Sequence, residues 1–284
     1  MNRLRAVIRV GYVPFQVVGV NGLALTAIAW GAGVLALLPL FAVSVASSFL
    51  AERFLPYSLA WNDSKGDMGR DALHAIVNET LSIASVSSIP ALASLGFGFA
   101  VWPRHWPFLV QILAALAVLD FGVTLAHYAS HRLRWLWRFH AVHHSVKRMY
   151  GFNGLMKHPV HQSIEMAAGT LPLVLVGLPV EIGMALAFCT ATQLLVQHSN
   201  VDFRLGPLRT WLAAAEVHRL HHRKDPTLGD VNFGLFTTIW DRLLGTLCDR
   251  PEGVRLSSSD LGIGAEPDYP SAYLAQLVRP FREG

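Results

Sequence analysis

The stretch "VGYVPFQVVGVNGLALTAIAWGAGVLALLPLFAVSVASSFLA", residues 10–51, holds no Asp, Glu, Lys, Arg or His. At about 1.5 Å per residue a helix of that length would run roughly 63 Å, twice the hydrocarbon thickness of a bilayer. Two crossings are expected, with Pro39 or the Gly31/Gly33 pair as the place to turn. Arg3, Arg5 and Arg9 precede the run, as in a secretory signal, but the apolar core of such a signal is only about 7–15 residues. A mean hydropathy of +0.39 and 52% hydrophobic residues agree with a membrane-embedded chain.

Working outward, residues 80–103 are uncharged but rich in Ser and Gly, a weaker span. Residues 106–126 are apolar except for Asp120. Residues 166–180 and 182–197 flank Glu181, and "VGLP" (176–179) between them reads as the turn of a helical hairpin. The expected fold is an all-α integral membrane bundle of four to six membrane helices grouped as hairpins, one membrane domain over residues 1–284. The turn-rich stretch after Arg250, "PEGVRLSSSDLGIGAEPDYP", is expected to wrap the polar side.

A net charge of +4 raises the question of nucleic acid. Yet the basic residues sit in loops beside apolar segments: between His127 and His161 stand six Lys/Arg and no acid. Attraction to anionic headgroups and the positive-inside rule explain this, so no nucleic-acid partner is expected. The same bias puts residues 127–165 and 199–284 on the cytoplasmic side with the N-terminus. "VWPRHWP" (101–107), with Trp on both sides of Arg104 and His105, becomes a turn at the opposite interface. Trp135, Trp137, Trp211 and Trp240 read as interface anchors. Two cysteines, Cys189 and Cys248, give neither a disulfide framework nor a thiolate zinc site.

"RFHAVHHSVKRMY" (138–150) concentrates His140, His143 and His144 in five positions, within about a 100° sector of a helix. Thirteen histidines scattered over 284 residues would give about 0.03 copies of that spacing by chance, yet "HRLHH" repeats it with His218, His221 and His222. "HYASH" adds His127 and His131, four apart. His74 and His105 stand outside any cluster and read as structural. Imidazole suits Fe, Zn, Cu and Ni, and eight are too many for one catalytic zinc. The sequence has no HExxH and no ExxH, which sets aside a zinc protease and a carboxylate-rich di-iron bundle. Haem would use two of the histidines at most. Two metal ions sharing a site at membrane-helix ends fit the pattern; a membrane metal transporter or metal-binding protein using the His-rich loops is the alternative.

Asp120 lies seven residues before His127, nearly on the same helical face and two turns deeper. A carboxylate there is costly unless paired or functional, and it is expected to accept a ligand imidazole N–H. Asp230, Asn232 and Asp241, after the last box, are candidates for the same role or for stapling the loop.

The order HxxxH, HxxHH, HxxHH on hydrophobic helices resembles the fatty acid hydroxylase and sterol desaturase superfamily. "LDFGVTLAHYASHR" (119–132), "LWRFHAVHHS" (136–145), "KHP" (157–159), "QHSN" (197–200), "EVHRLHH" (216–222) and "NFGLFTTIWDRLLGT" (232–246) stand in that family's order, and "ERFLP" (52–56) resembles an upstream element. The resemblance implies a histidine-box catalytic region over residues 106–250, carried as a di-metal cap on the cytosolic side. It implies two iron ions and O2 as co-substrate, and hydroxylation or desaturation of a membrane lipid C–H bond. Electrons would come from a separate donor protein. By position it makes His127, His131, His140, His143, His144, His218, His221 and His222 the ligands, adds His198, and suggests His158 as a tenth. Where many relatives carry an acid, this chain has His161.

Overall fold

The computed structural model describes residues 2–249 and 255–282; residues 250–254, at the end of the expected catalytic region and the start of the tail, lie outside it. The described residues are helical, with three isolated β-bridges and no β-strand. Five helices are long and apolar enough to cross a membrane: α1 (Arg3–Ala29), α2 (Val34–Phe54), α3 (Met68–Ser94), α4 (Phe108–Arg132) and α7 (Val180–His198). Between the last two lie α5 (Arg134–His144) and α6 (Pro159–Leu175), and beyond them α8 (Ala215–His221), α9 (Ile239–Leu244) and α10 (Tyr273–Arg282).

The long apolar run breaks at Trp30–Gly33, where Gly31 takes a positive φ of 89°. Pro39 sits near the start of α2, where its missing N–H costs no helical bond. The "VGLP" turn forms as expected, with Gly177 at φ 86°. Two starts were not legible: α3 begins at Met68, twelve residues before the expected span, and α6 begins at Pro159, through the charged and polar residues of "PVHQSIE". Tertiary packing overrides local hydropathy there, because His161 and Glu165 face inward and are buried.

Lipid tails offer helices no hydrophobic reason to associate, so close packing and polar contacts hold the bundle. Gln16 on α1 donates to the Ser44 carbonyl of α2 at 3.1 Å and accepts from Ser44 Oγ at 2.7 Å. At the α4–α6 crossing Gly122 lies so near the Ala168 carbonyl that a Cβ would collide with it. Val18, Leu23, Leu35, Leu50, Ile76 and Leu113 point outward, an apolar girth suited to lipid.

The helices alternate in direction, and one end of the bundle is polar. Arg9 of α1 pairs with Asp202 at 2.8 Å, just past α7. Arg148 forks onto Asp67 at 2.7 and 2.8 Å, before α3. The C-terminal ends of α4 and α7 arrive at that same end with their histidines. Amphipathic α10, unanticipated within the turn-rich tail, covers it, with Gln276 bonding His74 Nε2 at 3.0 Å.

Candidate metal centre

Four segments bring nine histidines together. The last two turns of α4 carry His127 and His131, and α5 carries His140, His143 and His144. The end of α7 carries His198, and α8 carries His218 and His221, with His222 next to it. They separate into two groups, in each of which one ring nitrogen per residue lies within 4.8 Å of all the others: His127, His131, His140, His144 and His221 in one, His143, His198, His218 and His222 in the other.

The division cuts across the motifs. Offsets of four and three residues turn a helix by about +40° and −60°, so in HxxHH the first and last histidines pair while the middle one diverges. His140 and His144 join the five-histidine group and send His143 to the other. His218 and His222 join the four-histidine group and send His221 across. Each HxxHH box straddles both groups rather than presenting one face, while both histidines of HxxxH, His127 and His131, fall in the five-histidine group.

The hydrogen bonds fix which nitrogen is free. His127 Nδ1 donates to the Phe233 carbonyl at 2.9 Å and His221 Nδ1 to the Val231 carbonyl at 2.9 Å. A carbonyl only accepts, so both Nδ1 atoms carry the proton and both Nε2 atoms carry a lone pair. Those lone pairs face each other at 2.9 Å. The other group repeats this: His143 donates to the Met156 carbonyl at 2.9 Å, His198 to the Leu194 carbonyl at 3.1 Å, and their Nε2 atoms stand 3.1 Å apart. Two opposed lone pairs repel unless a cation lies between them. Nitrogens about 2.1 Å from one ion are about 3 Å apart when neighbouring, as here. The donor set therefore fits two divalent transition metals, iron among them. Burial first, then the neighbouring imidazoles, hold the pKa of His140, His143, His144, His218, His221 and His222 well below the ordinary value, so they stand neutral, ready to ligate.

Asp230 is where the sequence suggested: its carboxylate accepts from His131 Nδ1 at 2.9 Å and from Arg132 at 3.0 Å. Asp120 is not. It touches no histidine; it accepts from the Phe236 and Thr237 backbone N–H at 2.8 and 3.1 Å, from Thr237 Oγ1 and from Trp240 Nε1. It staples the loop whose Phe233 carbonyl orients His127, and Asp241 secures the same loop through the Phe233 and Gly234 N–H groups at 2.7 and 2.9 Å. His158 falls outside both groups. Its Nδ1 caps α6 by accepting from Val160 N–H at 3.1 Å and its Nε2 meets the Leu277 carbonyl at 3.2 Å, so both nitrogens are engaged. His161 also stays outside, with Nε2 on Ser130 Oγ at 3.0 Å and its ring centroid 4.4 Å from that of His140. His74 bonds the Lys157 carbonyl, a structural role, and His105 is exposed at the far end of α4.

Sequence reasoning missed Glu52, buried at the end of α2, which accepts from the Gly151 and Asn200 N–H groups at 2.7 and 3.0 Å. It ties the segments after α5 and α7 together, and its place at the end of an uncharged run was the available signal. The ion pair of Lys157 with Glu165 was missed as well.

Two spaces adjoin the histidines. A cleft reaches His131, His144 and His221 from the polar surface, past Arg132, Arg134, Arg223 and Lys224. On the membrane side an apolar cavity lies among α3, α4, α6 and α7. It shares Val123, Lys157, Glu165, Leu194 and Leu235 with the small pocket lined by His127, His140, His143, His198 and His218.

The fatty acid hydroxylase family model matches residues 112–246, the span that contains all nine histidines. Ornithine lipid hydroxylase OlsE of Rhizobium tropici is 35% identical over 247 residues, covering 84% of this chain and 73% of its own. The chain belongs to the fatty acid hydroxylase family. Other members are more distant. Alkylglycerol monooxygenase of Danio rerio is 29% identical over 54% of this chain and 33% of its own, and cholesterol 25-hydroxylase of Rattus norvegicus is 29% identical over 55% and 54%. No solved structure matches the chain. Membership bears out the family resemblance carried by the histidine boxes.

Proposed function

We propose that this protein is an O2-dependent lipid hydroxylase whose nine clustered histidines hold two iron ions. One observation carries the reading: in each group a pair of imidazoles, tautomer fixed by a backbone carbonyl, opposes its Nε2 lone pairs at 2.9 or 3.1 Å. The iron, when bound, supplies reductive activation of O2 and cleavage of an unactivated C–H bond. The overall reaction inserts one oxygen atom into C–H and reduces the other to water, consuming two electrons and two protons.

The residues of the chain supply the rest. The carbonyls of Met156, Leu194, Val231 and Phe233 and the Asp230 carboxylate hold the rings in register, and ligand orientation of that kind sustains metal affinity. The apolar cavity takes the hydrocarbon part of a lipid entering from the bilayer and excludes water beside the histidines. The basic cleft on the opposite side favours a separate, acidic electron donor by charge complementarity. The related names, a hydroxylase and a monooxygenase of lipids, favour hydroxylation over desaturation, and ornithine-containing lipids as the first substrates to try. The Lys/Arg bias supports a cytoplasmic position for this face; reporter fusions after Arg148 and at the C-terminus should share one sidedness, and opposite sidedness would refute the single-face arrangement.

The direct test supplies purified, iron-loaded protein with a chemical reductant, 18O2 and an ornithine lipid. One 18O atom per product hydroxyl is expected. Hydroxyl oxygen drawn from water, or turnover in protein stripped of iron, would overturn the proposal.

A further inference from the structure

The apolar cavity is charged at one end only. Along α3 its lining runs from Glu79 through Ser82 and Val86 to Ile89, about 15 Å of helix. Lys157 and Glu165 stand in the wall it shares with the histidine pocket. Glu79 is at the same end: Asn78, beside it on α3, donates to the Lys157 carbonyl at 3.0 Å, and the Lys157 ammonium is the charged group that acts on it. Lys157 and Glu165 are ion-paired. Glu79 makes no hydrogen bond or ion pair with the described residues.

Two carboxyl groups and one ammonium thus line this end of the cavity, and the ammonium is paired with Glu165, leaving the Glu79 carboxyl without a partner among the described residues. A carboxylate inside a membrane helix is costly, and such residues mark substrate paths. Its complement is a cation or a strong donor. The cavity's other end, lined by Val86, Ile89, Val174 and Leu178, suits hydrocarbon.

We propose that Glu79, beside the Lys157–Glu165 pair, is the subsite for a protonated amine in the head of the lipid substrate, which lies head toward the histidines and tail toward Ile89. The inference rests on the hydroxylase reading and deepens it. It fixes regiochemistry: oxygen enters the head group or the chain carbons next to it, not the distal tail.

The test compares an ornithine lipid with the same lipid acetylated on its side-chain amine, using full-length, iron-loaded protein and its E79Q variant. The wild type should bind the free amine at least about 10-fold tighter than the acetylated lipid, the size of a charge-assisted hydrogen bond. In E79Q that preference should vanish through weaker binding of the amine alone, with acetylated-lipid binding and iron content unchanged. Fragmentation of the product should find the new hydroxyl in or beside the head. No preference in the wild type, equal loss of both lipids in E79Q, or loss of iron with binding retained would each overturn the subsite; the last would make Glu79 a counter-charge to the metals. The wild-type comparison does not depend on the variant folding. Wild-type hydroxylation without amine preference sinks this inference alone, whereas absence of iron or hydroxylation sinks the reading beneath it.

Discussion

The two histidine groups are built from the same side chain yet held differently. The five-histidine group borders the polar cleft through His131, His144 and His221, and one of its histidines, His131, leans on a carboxylate, Asp230. The four-histidine group is wholly buried, and among the described residues its outer partners are the carbonyls of Met156 and Leu194, with none on Nδ1 of His218 or His222. An ion held by the first group would meet more imidazoles and an ionic outer contact, whereas one held by the second would rely on two backbone carbonyls and on helix placement. The contrast teaches that α7 and the segment before α6 are as much a part of the second group as its histidines.

The largest effect should come from direct ligands. His222→Ala or His144→Ala should lower turnover by at least about 100-fold, beyond what loss of an outer partner costs, and metal analysis should show iron falling with it. His222→Ala should empty the four-histidine group first, and equal loss from both groups would erase the contrast. Next, Asp230→Asn should weaken iron retention about 10- to 100-fold, read by chelator competition. If the two ions leave together, Asp230 serves the whole centre and not the five-histidine group.

Gly154→Ala sharpens the comparison from the other side. A Cβ there would stand 2.8 Å from His198 Nδ1 and collide with the Leu194 carbonyl that orients it. Overpacking of this kind costs about 1–3 kcal/mol, and the four-histidine group should lose iron while the five-histidine group keeps it. Smallest is His158→Ala. Loss of its cap on α6 should cost about 1 kcal/mol of stability, seen as a lower melting temperature with iron content unchanged. A matching fall in iron would restore His158 as a ligand.

The membrane helices and eight of the nine histidines were legible because both are local patterns: uncharged runs longer than a bilayer, and imidazoles at helical spacing; His198 came only with the family resemblance. The division into two groups was not. It depends on the 100° between His143 and His144 and on which segment each meets, and a motif read as one face conceals that. Asp120 was assigned to the wrong partner for a related reason. Its depth on the His127 face suggested an imidazole, but Phe236, Thr237 and Trp240 come from more than a hundred residues away and claim both oxygens. His158 carried the right residue type in a family motif, and only the structure reveals that its nitrogens are engaged, Nδ1 by the start of α6 and Nε2 by α10.

The metal count tests the central claim most directly. Iron per chain, measured on purified protein that hydroxylates lipid, should come to about two, and to about one in His222→Ala under the same chelator wash. A hydroxylating preparation that holds no iron, or wild-type protein that saturates at a single ion, would contradict the two-group centre.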